Sequence, residues 1–444
     1  MKKTLLSILF LGLIAVVAVT PYLFGMEAER IFEQQMTQLN SSSKISVAES
    51  RFRRGWFSSV AETTFAVRQR GVKAVAEHSI EHGPFPISDP LKYLFSLKPL
   101  QALIVSTLVL PDISASGEDI SVGTLTTVVN IDSTTDTSID IPASNAQLAD
   151  AATVAWDRIG GTVSFEPDRA SWQGALNIGD IDWAQSGSSV SLGHSKLKFL
   201  TFPGQTGLAM GQSSLVAESL KVRIPDSEHL FEFSSLELDS TATEQEHNVE
   251  YGFAGGFASA LLPEMELSGA RWHFSAHDLD RDTLTELNNM SVDSAVPLNK
   301  LLTLVSERGA GLDSGMTLQT DSGPLAATAR IRLEGKAGTS NPLALSGALD
   351  GEIALDMPAA VTDMAARAAV ERELPDPGSG GGDPPAPGAD ESQFMANAVS
   401  ARIQAWVDAN LLTREGDRYR LHASVKDGSV SLNGEPFNIL SLLR

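Results

Sequence analysis

Apolar and polar residues alternate along most of this chain, and no other feature restricts its fold as strongly. Two stretches show the pattern clearly, GTVSFEP from residue 161 and HLFEFSSLELDSTATE from residue 229. A period of two is typical of strands with one buried and one solvent-exposed face. Many such segments follow one another with short polar turns between them, which predicts antiparallel pairing. The predicted fold class is α+β: an N-terminal transmembrane helix, then an extended, mostly antiparallel curved β-sheet body with packed helices.

The N-terminal segment differs from the rest because it carries no charge from Thr4 to Met26. A run of that length is sufficient to cross a hydrocarbon core. A cleaved signal peptide is the alternative, but Pro21 follows the best candidate cleavage site. We therefore predict that residues 1–26 form an uncleaved single-pass anchor, with residues 4–26 in contact with the inner membrane. Lys2 and Lys3 predict a cytoplasmic N-terminus and a periplasmic body.

Net charge and cysteine content narrow the classes of partner. The chain has 33 Lys and Arg against 55 Asp and Glu, which gives a net charge of −22. Binding of nucleic acid requires a basic surface, so we expect no nucleic acid partner. The chain has no cysteine, which removes disulfides, thiolate metal sites and cysteine nucleophiles.

The stretch ESRFRRGWFSS, residues 49–59, places three arginines beside Gly55, Trp56 and Phe57. Alternation on both sides predicts one strand before this stretch and another after it. Gly55 supplies the backbone freedom that a tight turn between them needs. We interpret the stretch as a hairpin corner with its arginines in solvent. A contact with lipid head groups and a ligand site remain open alternatives.

Three short motifs occur in the order found in a known family. They are RGWFSS, with Gly55, Trp56, Phe57 and Ser58; HGP, with His82, Gly83 and Pro84; and a terminal hairpin, with Asp427, Gly428, Asn433 and Gly434. Together with the N-terminal segment, they resemble the YdgA-like family of bacterial envelope proteins, whose function is unassigned. The resemblance implies a structural role for these residues, an envelope location in a Gram-negative bacterium, and no catalytic residue. The stretch WHFSAHDLDRDTLTEL also looks distantly like AsmA-type envelope proteins, which are associated with lipid handling.

Beyond the anchor, the chain is predicted to form two periplasmic domains. Residues 27–250 form a β-rich domain, and residues 251–444 form an α+β domain. The segment 374–391 is rich in proline and glycine and is predicted to be a flexible loop within the second domain. The predicted helices cover residues 27–39, a segment that begins at Asp89 and Pro90, and residues 144–156, 277–289, 298–309, 359–373 and 392–412.

The sharpest candidate for metal chemistry is HSIEH, residues 78–82, which matches the H-x-x-E-H arrangement of some zinc proteases. That chemistry requires a helix. The alternation before the motif and the Gly-Pro after it predict a strand instead, in which Glu81 points away from both His78 and His82. We therefore predict no metal at this motif.

Other candidate sites are weaker. His273 and His277 have Phe274 where a zinc protease would need glutamate. The segment GHSKL, residues 193–197, ends in leucine where a nucleophile elbow needs glycine. We predict no catalytic residue, no metal site and no cofactor.

The favoured function is a non-enzymatic envelope protein that accommodates a lipid or an apolar partner segment in a trough of the sheet. A single layer of strands needs helices, a second layer or a ligand over its apolar face, and the predicted helices are few for so many strands. Aspartate at Leu236 or Leu238 is then expected to abolish lipid binding. An envelope protein partner and a homo-oligomer are compatible with the sequence. The alternatives are a cell-wall-directed hydrolase and a carbohydrate-binding module that stacks sugars on Trp156, Trp172, Trp183 and Trp272.

Overall fold

The computed structural model contains two compact units, each built on antiparallel strands. The first consists of Met1–Phe202 and Ser213–Leu230, and the second of Pro203–Gln212 and Phe231–Arg444. The predicted boundary between residues 250 and 251 falls inside a strand of the second unit. The structure describes residues 19–34, 36–37, 40, 45–67, 73–84, 86, 99–111, 114, 117, 119–148, 151–225, 230–262, 265–289, 309–333, 349–373 and 391–437.

The first unit holds a sheet in which neighbouring strands run antiparallel in the order β1-β2-β3-β4-β5-β6-β9-β10-β13. A second series of pairings joins β7, β8, β11, β12 and β14 in that order. The strands are β1 (Ile45–Arg54), β2 (Ser58–Val67), β3 (Lys73–His82), β4 (Leu100–Leu110), β5 (Ile120–Asn130), β6 (Thr135–Ile141), β7 (Ser144–Gln147), β8 (Thr153–Trp156), β9 (Ile159–Glu166), β10 (Ser171–Ile178), β11 (Ile181–Gln185), β12 (Ser188–Leu192), β13 (Ser195–Pro203) and β14 (Ala209–Arg223).

A helix, α1, covers one end of the apolar face of this first sheet. Its described residues are 19–34, 36–37 and 40, so it starts before the helix predicted at residues 27–39. Ala28 and Phe32 lie one helical turn apart and pack on the buried side chains of Ala61, Ile80 and Ala102.

The second unit repeats the antiparallel arrangement in the order β15-β16-β18-β19-β20-β21-β23-β24-β25. The short strand β17 pairs with β15 and β18, and β22 pairs with β23. The strands are β15 (Leu230–Glu244), β16 (Asn248–Phe257), β17 (Ser259–Leu262), β18 (Met265–Asp280), β19 (Ala310–Thr320), β20 (Gly323–Leu333), β21 (Leu349–Pro358), β22 (Thr413–Glu415), β23 (Arg418–Lys426), β24 (Ser429–Leu432) and β25 (Glu435–Pro436).

Three helices of the second unit lie within the described residues: α2 (Arg281–Asn289), α3 (Ala359–Glu373) and α4 (Glu391–Asp408). Asp280 starts α2, because its carboxylate accepts a hydrogen bond of 2.8 Å from the backbone N–H of Thr283. Helices α3 and α4 pack on one end of the sheet and build the largest core of the unit. Its buried residues are Leu325, Met357, Ala366, Val399, Ile403, Leu412 and Tyr419.

The predicted α+β class is wrong, because the described chain is mostly antiparallel sheet and its α-helices there are α1 to α4. Residues 144–156, predicted as a helix, form strands β7 and β8, which pair with each other. Helix propensity in this alanine-rich segment is a weak preference, and the pairing of β8 with β11 outweighs it. The helix predicted at 277–289 begins four residues later, since β18 continues to Asp280. The helices predicted after Asp89 and at 298–309 lie outside the described residues.

The structure also corrects the predicted transmembrane anchor. Among the residues that it describes, no helix is long and apolar enough to cross a membrane. Residues 1–18 lie outside the described part, as does the flexible loop predicted at 374–391 except for its last residue. The described end of the predicted span, residues 19–26, belongs to α1, which continues into the charged residues Glu27 and Arg30. This finding contradicts the predicted single-pass inner-membrane location. The contact of residues 4–26 with that membrane stays a prediction.

Candidate functional site

Two of the three sequence motifs come together at one corner of the first sheet. Gly55, Trp56 and Phe57 form the turn between β1 and β2, with Ser58 as the first residue of β2, and His82 is the last residue of β3. The backbone N–H of His82 donates to the carbonyl of Phe57 at 2.9 Å. Gly83 then donates to the carbonyl of Gln101 at 2.7 Å, and a Cβ at position 83 would collide with the backbone of Leu100. Pro84 closes the motif by accepting a hydrogen bond of 3.1 Å from the backbone N–H of Leu100.

The imidazole of His82 is buried in this corner, with 1% of its surface exposed. Its Nδ1 lies 3.2 Å from the carbonyl of Trp56, which can only accept, so Nδ1 carries the proton. Its Nε2 lies 2.9 Å from the hydroxyl of Ser59 and therefore accepts from it. Burial lowers the pKa of His82, and the charge of Arg54 adds to this effect against the opposing hydrogen bonds with Trp56 and Pro21. The ring is thus held as a neutral structural group.

Helix α1 packs directly on this corner of the first sheet. Gly25 faces the His82 ring so closely that a Cβ on residue 25 would lie 2.8 Å from Nδ1. The rings of Tyr22 and Trp56 stack with centroids 5.0 Å apart. Arg54 lies over the Tyr22 ring at 5.2 Å and pairs with Glu29 at 2.8 Å. The stretch ESRFRRGWFSS is therefore the predicted hairpin corner, but its Arg54 joins the helix to the sheet.

The HSIEH motif lies in β3, as its alternation predicts. His78 and His82 face the same side of the sheet, under α1. His78 Nδ1 lies 2.8 Å from the Ser106 hydroxyl, and its ring meets Phe32 edge-on at 6.1 Å. Burial lowers the pKa of His78. Within the described residues, no group of three His, Asp or Glu side chains is placed to hold a metal ion.

The third motif connects the last strands to the end of α4. Asp427 and Gly428 form the turn between β23 and β24, and both have positive φ, at 50° and 76°. Asn433 has a φ of 50° at the next turn, followed by Gly434. The Asn433 side chain accepts from the backbone N–H of His422 at 2.8 Å and donates to the carbonyl of Asn410 at 2.7 Å. A single side chain thereby joins β23 to Asn410, two residues after the end of α4.

One face of the second sheet is apolar over a large area. Residues directly opposite each other in antiparallel pairs lie on the same face. Three successive rows across seven strands contain no charged side chain. The rows are Leu238, Gly255, Trp272, Met316, Ala327, Leu355 and Leu421; Ser240, Phe253, Phe274, Ser314, Ala329, Ile353 and Ala423; and Ala242, Tyr251, Ala276, Leu312, Ile331, Gly351 and Val425.

Helices α3 and α4 cover only part of this face. Leu355 and Leu421 pack in the core beneath them. Four other members of the rows remain exposed, and we refer to them as the apolar strip: Phe253 (41%), Phe274 (40%), Met316 (38%) and Ile353 (46%). Burial raises the pKa of Tyr251 beside the strip, and the charge of Glu244 contributes.

The opposite face of the same strands is polar and contains a depression of about 600 Å³. Glu237, Asp239, Arg271 and His273 line it. The His273 ring packs over Gly315, where a Cβ would lie 3.1 Å from Nδ1. The ring of His273 is therefore a packing group. His273 and His277 both lie in strand β18, so no helical turn places their rings side by side as a metal site would need.

The sequence pattern alone does not identify the residues of the apolar strip. Phe253 and Phe274 are 21 positions apart in the chain and become direct neighbours only through the register of β16 and β18. The candidate stacking residue Trp272 lies one row away and packs over Gly255, where a Cβ would lie 2.6 Å from its ring. The sequence contains one signal for this face, the alternation of Tyr251, Phe253 and Phe257 with small or polar residues.

Comparison with protein-family models identifies the family of the chain. A family model described as bacterial protein of unknown function (DUF945) matches residues 1–439. The chain belongs to this family. No curated protein and no solved structure gave a match. Membership in DUF945 agrees with the expected resemblance to an uncharacterised bacterial family, while the narrower YdgA-like and AsmA-type likenesses stay predictions.

Proposed function

We propose that this DUF945 member is a non-enzymatic binding protein that holds the acyl chain of a lipid along the apolar strip. The observation that carries the proposal is the contrast within one face of the second sheet. Helices bury its Leu355 and Leu421 end, whereas Phe253, Phe274, Met316 and Ile353 remain exposed beside them. An isolated exposed apolar residue needs no explanation, but several of them on one uncharged face are typical of a binding surface.

The chemistry of the face favours an uncharged, linear ligand. The three rows contain no charged side chain, so an ionised group would lose its hydration without gaining a partner there. From Phe253 on β16 to Ile353 on β21 the row crosses four strand spacings, about 19 Å in length. An acyl chain fits such a shape and chemistry, with its polar head group at the solvent-exposed end.

The burial of apolar surface supplies the driving force. Each exposed side chain of the apolar strip that a ligand covers is expected to contribute about 1 kcal/mol, since part of its surface is already buried. The AsmA-type likeness predicted from the sequence agrees in kind with such a role. This likeness supports a lipid, as opposed to another apolar ligand, as the molecule that is bound.

Replacing Phe274 by aspartate is expected to reduce the lipid that co-purifies with the full-length chain about tenfold, because a carboxylate in the row must be desolvated by the ligand. The measurement is native mass spectrometry of the purified protein, with solvent extraction and quantification of bound lipid. The matched control is Phe394→Asp, on α4, where an equally apolar side chain is 56% exposed outside the rows. Equal lipid in both variants, or none in the unaltered protein, would contradict the proposal.

A further inference from the structure

The first unit has an apolar face of its own, and α1 lies over only one end of it. One row of that face runs from His82 through Ala102 and Val129 to Thr135, Phe165 and Trp172. The His82 end lies under α1, whereas Trp172, at the other end, is 46% exposed. Helix α1 therefore covers part of a continuous surface. Its removal would uncover Ala61, Ile80 and Ala102.

The contact between α1 and the sheet is built around two imidazoles, that of His82, which is buried, and that of His78, which is half-buried. Gly25 rests against the ring of His82, and Phe32 rests against the ring of His78. His82 uses both ring nitrogens in hydrogen bonds, to Trp56 and Ser59. His78 uses only Nδ1, since its Nε2 is buried without a hydrogen-bond partner in the described surroundings.

We propose that α1 is an acid-released cover: protonation of His78 and His82 detaches it from the first sheet and exposes the apolar face beneath. A second proton on either ring creates a buried cation under the helix. At His82 the new proton would sit on Nε2, which now accepts from Ser59. At His78 it would sit on the unpartnered Nε2, against the apolar surface around Phe32.

The charged groups around the two rings do not compensate these cations. The charge acting on His82 is Arg54 of β1, which opposes a second positive charge and is already paired with Glu29 of α1. On α1, Glu27 and Arg30 pair with each other at the surface. Facing His78 are Phe32 of α1, Ala61 of β2 and Ser106 of β4, none of which carries a charge.

The direction of the pH dependence follows from proton linkage. Burial lowers the pKa of both histidines in the covered state, while the uncovered state leaves them near their ordinary value of about 6.5. The uncovered state therefore binds more protons below that pH. The covered state is fully favoured above about pH 6.5, and each histidine shifts the equilibrium toward release by up to about tenfold per pH unit below it.

The test is the distance between α1 and the sheet, measured by electron–electron double resonance on the full-length chain. The chain has no cysteine, so spin labels on Leu23→Cys and Glu77→Cys are the only ones. Leu23 is 52% exposed on α1, and Glu77 is exposed on β3. Between pH 7.5 and pH 5.0 we expect the short, narrow distance distribution to be replaced by a long, broad one. An unchanged distribution at pH 5.0 would overturn the proposal.

Histidine variants separate this mechanism from general acid unfolding. The double variant His78→Gln, His82→Gln is expected to keep the short distance at pH 5.0. The single variant His78→Gln changes the less buried ring. It is expected to halve the steepness of the change in spin-label distance with pH, and it replaces the double variant if that variant fails to fold. His247→Gln is the matched control, because His247 is 81% exposed and should leave the transition unchanged. Release of α1 from the His78→Gln variant with unaltered steepness and midpoint would contradict the proposal.

Discussion

Replacing Asn433 by alanine is expected to lower the free energy of unfolding of the C-terminal hairpin by about 3 kcal/mol. The substitution removes the hydrogen bonds of the Asn433 side chain with the backbone of His422 and Asn410. It leaves the His422 N–H without that acceptor, and it places alanine at a φ of 50°, which asparagine tolerates better. The measurement is hydrogen exchange of peptides covering β23 and the end of α4.

Asp427→Ala is the matched control for Asn433→Ala. Asp427 has the same φ of 50° and is likewise followed by glycine, but within the described residues its side chain makes no hydrogen bond that connects two elements. Asp427→Ala is expected to lower the free energy of unfolding of the hairpin by about 1 kcal/mol, because only the backbone conformation becomes less favourable. Similar losses in the two variants would mean that the Asn433 side chain contributes nothing beyond its conformation.

Replacing Gly25 by alanine is expected to destabilise the docking of α1 by about 2 kcal/mol. In an ordinary helix this change stabilises by about 1 kcal/mol, because glycine has the greater backbone freedom in the unfolded chain. Here the added Cβ would lie 2.8 Å from Nδ1 of His82, a ring that is packed on all sides. Gly25→Ala is therefore expected to destabilise, where the same change in an ordinary helix stabilises. This reversal of sign tests the contact between Gly25 and the His82 ring.

Hydrogen exchange of peptides from α1 measures this effect, and two further variants interpret it. Met26→Ala, at a neighbouring position where the side chain is 43% exposed, should change protection by less than about 0.5 kcal/mol. In a His82→Ala background, Gly25→Ala should regain its usual stabilising sign, because the added methyl group then has space. A stabilising Gly25→Ala in the unaltered protein would contradict the contact between α1 and His82.

Local features were the part that the sequence predicts well. The turn at Gly55, the strand at HSIEH and the Asp427-Gly428 turn each depend on a few adjacent residues. Their signals are a glycine in a tight turn, a period of two, or a residue pair that accepts positive φ. The failure at 144–156 has the same origin, since a local preference of alanine was outweighed by pairing with β11.

The candidate sites depend on register and docking, which local pattern does not contain. Alternation assigns Phe253 and Phe274 to the buried side of their own strands, but only pairing of β16 with β18 makes them neighbours. Only the positions of α3 and α4 show that they stay exposed. Likewise, Gly25 and His82 lie 57 positions apart, and the lack of charge up to Met26 assigns Gly25 to a predicted membrane span and not to a helix packed on the sheet.

The binding of an acyl chain to the apolar strip is tested most directly by photo-crosslinking. A phospholipid with a diazirine on its acyl chain would be incubated with the full-length protein, irradiated, and the labelled peptides sequenced by mass spectrometry. We expect the label on Phe253, Phe274, Met316 and Ile353, displaced by excess unlabelled lipid and reduced about tenfold in the Phe274→Asp variant. Saturable labelling at other residues with the four strip residues unlabelled, or labelling that unlabelled lipid does not displace, would contradict the proposal.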